Sequence, residues 1–274
     1  MDIEANRGDA NEDNEVGKLI NKNLLCVIID LNHNAWNASD DRENMQVDGE
    51  PSNSSGNSIE KLYEILNKLF MFINSYLLQS ATNDIAIYGS YCHEAKYIAP
   101  LEEDLGYIKK LSYAVFSSKI ICRIIDYFNS EDFLSKEMNY ESSNTSKIGS
   151  ALKKSNCYIN SWKLKNSRPD TSCNARVLIF QASNDNNDDY NSIVNSMFAC
   201  QKHTVVVDSI MFNNQDSILL QQCSYLTGGI YTRTKDSNEF IHCLFTDNYL
   251  IDSKTRKKFN FLFQEELDLR VSCS

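Results

Sequence analysis

The sequence feature that most constrains the fold is the unbroken apolar run Leu24–Ile29, which ends at Asp30. Six apolar residues without alternation are typical of a strand buried on both faces, as in a parallel sheet. Two further strands are predicted, at Arg176–Gln181, whose centre is fully apolar, and at Thr204–Ile210. Because helical patterns separate these runs, the sequence predicts an α/β domain with one doubly wound, mostly parallel sheet and helices on both faces.

The spacing of apolar residues predicts the helices that cover this sheet. Predicted helices lie at 59–77, 118–128, 148–162, 190–198, 216–226 and 237–249, and Met197 and Phe198 are expected in the core. The runs Asp84–Gly89 and Glu94–Ala99 predict a short antiparallel pair of strands. A glycine C-cap at Gly228 is expected to lead into a short strand at 229–232.

Composition narrows the class of protein. The chain has 274 residues, 42% of them hydrophobic, and a net charge of −10. That apolar fraction excludes wholesale disorder, and the negative charge argues against direct, sequence-independent binding to nucleic acid. No apolar run is long enough to span a bilayer, and the acidic start does not fit a signal peptide, so we expect a soluble intracellular protein with no membrane partner.

Polar segments divide the chain. We expect residues 1–17 to be an acidic disordered tail, 18–252 to form the folded domain and 253–274 to begin a linker. Residues 39–58 are expected to be a loop, and 129–146 a polar insert. The nine cysteines include no C-x-x-C pair, so we interpret them as reduced residues, most of them small core residues.

No motif in the sequence predicts catalysis. There is no phosphate-binding glycine loop, no G-x-S-x-G nucleophile elbow, and none of the four histidines has a catalytic partner at recognisable spacing. One polar cluster remains, because Asp30, Asn32 and Asn34 alternate directly after the first predicted strand. Their oxygens could bind a hard cation, or they could form an Asx turn that satisfies backbone N–H groups.

Six segments together resemble one protein family. They are LLCVIIDLNHNAW (24–36), DIAIYGSYCHEAKYIAP (84–100), IGSALKKSNCYI (148–159), RVLIFQASND (176–185), NSMFACQKHTVVVDS (195–209) and LLQQCSYLTGGIY (219–231). The overall order resembles a von Willebrand factor A domain. More narrowly, the segments resemble the smaller, thirty-four-kilodalton A-domain subunit of the transcription and DNA-repair factor TFIIH.

The resemblance implies where a metal would bind. A-domains that bind Mg²⁺ use D-x-S-x-S after the first strand, a Thr before a later helix and an Asp after the next strand. Here Asp30 is kept, whereas Asn32 and Asn34 replace the serines, the Thr position falls near Ser146 or Thr145, and Ala182 replaces the second Asp. Losing that carboxylate leaves too little charge to dehydrate Mg²⁺, so no metal is expected.

The resemblance also implies a function. Family members are scaffold subunits of TFIIH in the nucleus, acting in transcription initiation and nucleotide excision repair and binding the RING-like domain of the larger A-domain subunit. The family carries a zinc module after the A-domain. This sequence ends in RVSCS with Cys273 as the one nearby cysteine, so no zinc is expected in this chain. The alternative function is a metal-dependent, ligand-binding A-domain.

Two sets of apolar residues are candidates for binding a partner. Ile65 and Phe72 lie one heptad apart, roughly opposite the core stripe of the first predicted helix. Phe259, Phe261 and Phe263 follow the last predicted helix, where no sheet remains to cover them. Either set could instead pack beneath the polar loops.

Overall fold

The structure, a computed structural model, describes residues 20–32, 35–36, 54–130, 145–234, 237–246, 249–251 and 255–256, with 54–60, 237 and 246 described as backbone alone. Within these ranges the strands are β1 (Ile20–Asp30), β2 (Asn83–Ser90), β3 (Ala95–Ala99), β4 (Thr171–Gln181), β5 (Val206–Met211) and β6 (Tyr231–Arg233). The helices are α1 (Ser54–Gln79), α2 (Leu105–Lys109), α3 (Tyr113–Phe128), α4 (Ile148–Asn166), α5 (Tyr190–Lys202), α6 (Ile218–Thr227) and α7 (Ser237–Thr246).

The described strands form one sheet in the order β3-β2-β1-β4-β5-β6. All neighbouring pairs are parallel except β2 and β3, which pair antiparallel as predicted. In register, Val27 of β1 lies between Ile87 of β2 and Leu178 of β4. The chain winds in both directions from β1, so the topological switch point lies between β1 and β4.

Two apolar clusters, one on each face of the sheet, explain why apolar and polar residues do not alternate along β1. Leu25, Val27 and Ile29 pack with α1, α3 and α7 on one face of the sheet. Leu24, Cys26 and Ile28 pack with α4, α5 and α6 on the other face. Each strand residue is therefore buried whichever way its side chain points, which confirms the predicted doubly wound sheet with helices on both faces.

Some predicted boundaries differ from the structure. Helix α1 begins at Ser54, inside the predicted loop, and α2 was not predicted because five residues are too few to show a period. The packed body reaches Arg256, four residues beyond the predicted domain end. Residues 1–17 and 131–144 lie outside the described residues.

The two glycines after α6 have different roles. Gly228 has φ of 74° and caps the helix in the left-handed region, which confirms the predicted C-cap. A Cβ on Gly229 would lie 2.0 Å from the carbonyl oxygen of Val207, so this position needs glycine for a close backbone approach. The pair of glycines thus lets the chain turn directly from α6 into β6.

The eight described cysteines are thiols and form no disulfide with one another. Five of them are buried, as predicted: Cys26, Cys92, Cys200, Cys223 and Cys243. Cys122 and Cys157 are exposed because they lie on the outward sides of α3 and α4.

Candidate functional site

The candidate site lies at the switch point, where β1 ends at Asp30 and β4 is followed by Ala182. Crevices at the carboxyl ends of strands are where doubly wound sheets bind their ligands. The structure brings the predicted positions Asp30, Asn32, Ser146 and Ala182 into this region, and all four are buried. Asn34 lies outside the described residues.

The Asp30 carboxylate bonds to groups of the chain itself. Its Oδ1 accepts a hydrogen bond from the backbone N–H of Asn32 at 3.1 Å. Its Oδ2 accepts from the backbone N–H groups of Ala182 and Ser183, at 3.1 and 2.7 Å, and from the Ser183 hydroxyl at 2.5 Å. This is the predicted Asx-turn interpretation, extended across the sheet to β4.

The other predicted metal positions that the structure describes, Asn32, Ser146 and Ala182, are buried inside the domain and do not present free oxygens on its surface. The Asn32 amide donates to the carbonyl of Thr145 at 3.1 Å, so it ties β1 to the segment before α4. The Ser146 hydroxyl is buried and has no hydrogen-bond partner among the described residues. Ala182 contributes a backbone N–H group and no side-chain oxygen. The described part of the chain contains no cluster of three His, Cys, Asp or Glu side chains that could hold a metal.

Electrostatics at Asp30 follow from this closure. Burial raises the pKa of the Asp30 carboxyl, and the hydrogen bonds from Ser183, Asn32 and Ala182 partly oppose that rise. Among the described groups that hold its oxygens there is no cationic side chain. Among the described residues, the partial charges of three N–H groups and one hydroxyl therefore stabilise this carboxylate.

A second buried carboxylate, Asp208 on β5, was missed by sequence reasoning. Both of its oxygens bond to Arg256, at 3.0 and 2.7 Å, and Arg176 of β4 lies 3.5 Å from Oδ2. The backbone N–H of Ile230 also donates to Oδ1. These partners are far apart in sequence, so no local motif reveals the cluster.

This cluster fastens the segment after α7 to the sheet. Arg176 donates to the backbone carbonyls of Tyr249 and Ile251, at 2.5 and 3.3 Å. The fully buried Tyr249 donates its hydroxyl to the carbonyl of Ser209 on β5 at 3.2 Å. The described residues between 249 and 256 thus belong to the domain body.

The predicted exposure of Ile65 and Phe72 is wrong. Their exposed fractions are 5% and 0%, and the Phe72 ring meets Phe245 of α7 edge to face at 6.1 Å. Helix α1 packs against the sheet, α3 and α7, so it buries more of its circumference than a single stripe. Phe259, Phe261 and Phe263 lie outside the described residues.

Other apolar side chains are exposed instead. Phe198 was expected in the core but is 55% exposed, because α5 buries Ile193, Met197 and Cys200 and turns Phe198 outward. Large exposed apolar residues occur on α1 (Tyr63, Met71, Leu78) and on the adjacent helices α5 and α6 (Tyr190, Phe198, Ile218, Tyr225, Leu226). Exposed apolar residues grouped on neighbouring helices are candidates for contact with another protein.

No described helix is long and apolar enough to cross a membrane.

Comparison with known proteins gives a consistent result. The profile of the family described as Transcription factor Tfb4 matches residues 22–274. General transcription factor IIH subunit 3 of Dictyostelium discoideum is 26% identical over 240 residues, which are 81% of this chain and 61% of that protein. The General transcription and DNA repair factor IIH subunit TFB4 of Arabidopsis thaliana is 25% identical, over 77% of this chain and 70% of that protein.

Solved structures show the same fold. The TFIIH p34 N-terminal domain is similar with a TM-score of 0.61 and 21% identity, covering 81% of this chain and 96% of that chain. Proximal thread matrix protein 1 from the mussel byssus is similar with a TM-score of 0.50 and 13% identity, over 86% of this chain and 49% of that chain. Together with the sheet order, these likenesses confirm the predicted von Willebrand factor A-like fold.

Proposed function

The chain belongs to the Tfb4 family of transcription factors, and from that premise we propose that it is a non-catalytic scaffold subunit of the TFIIH core. Its relatives are named as subunits of a general transcription and DNA-repair factor. The proposed role is in transcription initiation by RNA polymerase II and in nucleotide excision repair, in the nucleus. The chain covers 61% of the Dictyostelium relative, so this role is proposed for the part that the two share.

The observation that carries the proposal is the closure of the switch point. The two carboxylate oxygens of Asp30 bond to Asn32, Ala182 and Ser183, and the Ala182 side chain supplies no oxygen. An A-domain that binds its ligand through Mg²⁺ needs oxygens that are free to coordinate. This geometry favours a scaffold over the alternative, a metal-dependent ligand-binding domain.

The proposed partner is the larger A-domain subunit of TFIIH, contacted through its RING-like domain. Interface cores are enriched in aromatic residues and Met, and both types occur among the exposed residues of α1, α5 and α6. The net charge of −10 disfavours direct contact with a phosphate backbone. Zinc is expected in a C-terminal module of the family, and none is proposed for this chain.

Co-purification of this chain with that RING-like domain tests the proposal. We expect a stoichiometric complex that forms equally well in Mg²⁺ and in EDTA. Phe198→Glu and Met71→Glu place a charge on the two exposed apolar surfaces, and the one that lies in the interface should weaken binding by at least about tenfold. Leu105→Glu, at another exposed leucine, is the control. A complex that forms only with Mg²⁺, or no complex, would contradict the scaffold role.

A further inference from the structure

Helix α4 carries an unusual concentration of positive charge. Between residues 146 and 169 there are six basic residues and no acidic residue, in a chain whose net charge is −10. The six are Lys147, Lys153, Lys154, Lys163, Lys165 and Arg168. Such a run in an acidic protein produces a local field opposite in sign to that of the whole molecule.

The outward side of this helix is exposed. Lys153, Lys154 and Lys165 are exposed, as is Arg168 just beyond the helix end. Between them Leu164 is 79% exposed, the largest fraction among the described large apolar side chains. We call these five residues the α4 basic face, which combines positive charge with one apolar contact point.

None of the six cations forms an ion pair with a described carboxylate. Lys154 donates to the carbonyl of Ala95, and Lys163 donates to the carbonyl of His203. By contrast, every other described arginine pairs with an Asp or Glu: Arg123, Arg176, Arg233 and Arg256. The nearby carboxylate of Asp84 accepts from Trp162 instead.

The chain enters the domain beside this face. The backbone N–H of Ile20, the first residue of β1, donates to the carbonyl of Asp170 at 2.9 Å. Lys22 donates to the Asn166 side chain, at the last residue of α4, at 2.8 Å. The first described residue of β1 therefore lies at the C-terminal end of α4.

The preceding segment has the complementary charge. Residues 1–17 contain six carboxylates, at Asp2, Glu4, Asp9, Glu12, Asp13 and Glu15, against the single basic side chain of Arg7. A stretch of this length can extend to roughly 55 Å, whereas the 19-residue helix α4 is about 28 Å long. The segment is long enough to follow the whole helix.

We infer that the acidic segment 1–17 docks on the α4 basic face. The carboxylates lie against the lysines, and Val16, four residues before Ile20, is placed to cover Leu164 near the end of the helix. Tethering makes this contact intramolecular, which compensates for the weakness of individual exposed ion pairs. The acidic segment thus covers the α4 basic face and denies it to other polyanions.

Zero-length carbodiimide cross-linking of the full chain tests this contact, because the reagent joins carboxylates to amines that are already paired. We expect carboxylates of 1–17 to link mainly to Lys153, Lys154 and Lys165, and about tenfold less in about 0.5 M NaCl. The exposed Lys109, at the end of α2, and Lys110, its C-cap, are the internal control. Links spread equally over the control lysines, or links between isotope-labelled and unlabelled copies, would overturn the proposal.

A pair of double variants tests whether the links to Lys154 depend on the positive charge of the neighbouring lysines. Lys153→Arg with Lys165→Arg keeps the charge, so the links to Lys154 should persist. Lys153→Glu with Lys165→Glu should reduce them about tenfold. Equal links to Lys154 in both double variants would overturn the proposal.

A binding measurement distinguishes this occupant from nucleic acid. The six carboxylates of 1–17 are replaced by their amides in the full chain, and binding of a fluorescent single-stranded oligonucleotide at low salt is followed by anisotropy. We expect the amide variant to bind at least about tenfold more tightly than the original chain, because the α4 basic face is uncovered. Equal binding by the two chains would show that the segment does not occupy the face.

Discussion

Asp30 and Asp208 are both completely buried on the same sheet, yet their charges are met in different ways. Asp30, at the end of β1, accepts from three backbone N–H groups and one hydroxyl. Asp208, on β5, is held by the guanidinium groups of Arg176 and Arg256. Dipoles surround the first carboxylate, and two full cations surround the second.

The difference shows what each carboxylate does for the fold. The donors on Asp30 come from residues directly after β1 and β4, so this carboxylate joins the two strands at the switch point. The N–H and hydroxyl donors occupy the oxygens that would coordinate a cation in a metal-binding domain. Asp208 joins strands to a distant segment through Arg256. Replacing each carboxylate in turn compares the two kinds of stabilisation. A buried cation that loses its counter-charge destabilises the fold more than a backbone N–H that loses its hydrogen-bond acceptor.

The largest effect is expected for Asp208→Asn. This substitution removes the buried negative charge that both Arg176 and Arg256 contact, and we expect the free energy of unfolding to fall by about 3–5 kcal/mol. Urea unfolding measures it. The exposed Arg233–Asp216 pair offers a matched control, because Asp216→Asn should cost less than about 1 kcal/mol. If the two substitutions lowered the free energy of unfolding equally, burial would not explain the larger effect expected at Asp208.

Arg256→Gln should have a smaller effect, about 2 kcal/mol in the same measurement. It removes two charge-assisted hydrogen bonds, but Arg176 still neutralises Asp208. Limited proteolysis should show faster cleavage near residues 249–256 in the variant. Arg233→Gln is the exposed control, and unchanged cleavage in Arg256→Gln would mean that the segment is held by other contacts.

Asp30→Asn should cost about 1–2 kcal/mol, less than either change at the Asp208 cluster. The amide keeps the shape but turns one of two accepting oxygens into a donor that faces backbone N–H groups. Ser183→Ala removes only the hydroxyl donor and should cost about 1 kcal/mol. A cost for Asp30→Asn that equalled the cost for Asp208→Asn would remove the distinction between the two carboxylates.

The pH dependence sharpens the same comparison. Because burial raises the pKa of Asp30, the native state keeps a proton that the unfolded chain releases near its ordinary pKa of about 3.9. This contribution to the free energy of unfolding therefore falls as the pH rises from about 3.9 through the raised native pKa. Asp30→Asn lacks it, so the cost of that substitution should shrink over this window. Unfolding curves at successive pH values check this, and a cost that grows with pH would contradict it.

The smallest expected effect is that of Mg²⁺. With the Asp30 oxygens bonded internally, titration to about a hundredfold over a typical dissociation constant should leave the melting temperature unchanged within about 1 °C. A metal-binding A-domain would gain about 2.7 kcal/mol under those conditions. A shift of several degrees would show that Asp30 and Asn32 open to a cation, and would favour the metal-dependent function.

The sheet could be predicted because its signal is local. The runs at 24–29 and 177–180 are apolar at every position, and burial on both faces is the physical state that such runs favour. The same locality identified Asp30 as the last residue of its strand. Ser183 offers no carboxylate and so gives no metal-site signal in the sequence, although its hydroxyl and backbone N–H provide two of the four bonds to Asp30.

The exposure of helix residues and the Asp208 cluster could not be predicted, because they depend on contacts between elements that are far apart in the sequence. Phe72 appeared to face solvent because a helical wheel assumes one buried side, whereas α7 covers a second side of α1. Phe198 appeared buried because it adjoins Met197, but the core accepts a narrower stripe of α5. Arg176 and Arg256 meet at Asp208 across 32 and 48 residues of sequence, a separation that only the folded chain closes.

The attachment of residues 249–256 also determines how the domain bears mechanical force. A pull on the chain beyond Arg256 would pass through its two bonds to Asp208 and so into β5, and from there through the hydrogen-bonded ladder to β4. A load delivered to a strand that is paired on both sides is shared among many backbone bonds at once. A force applied to the chain after Arg256 would therefore act on the sheet before it could detach a surface helix.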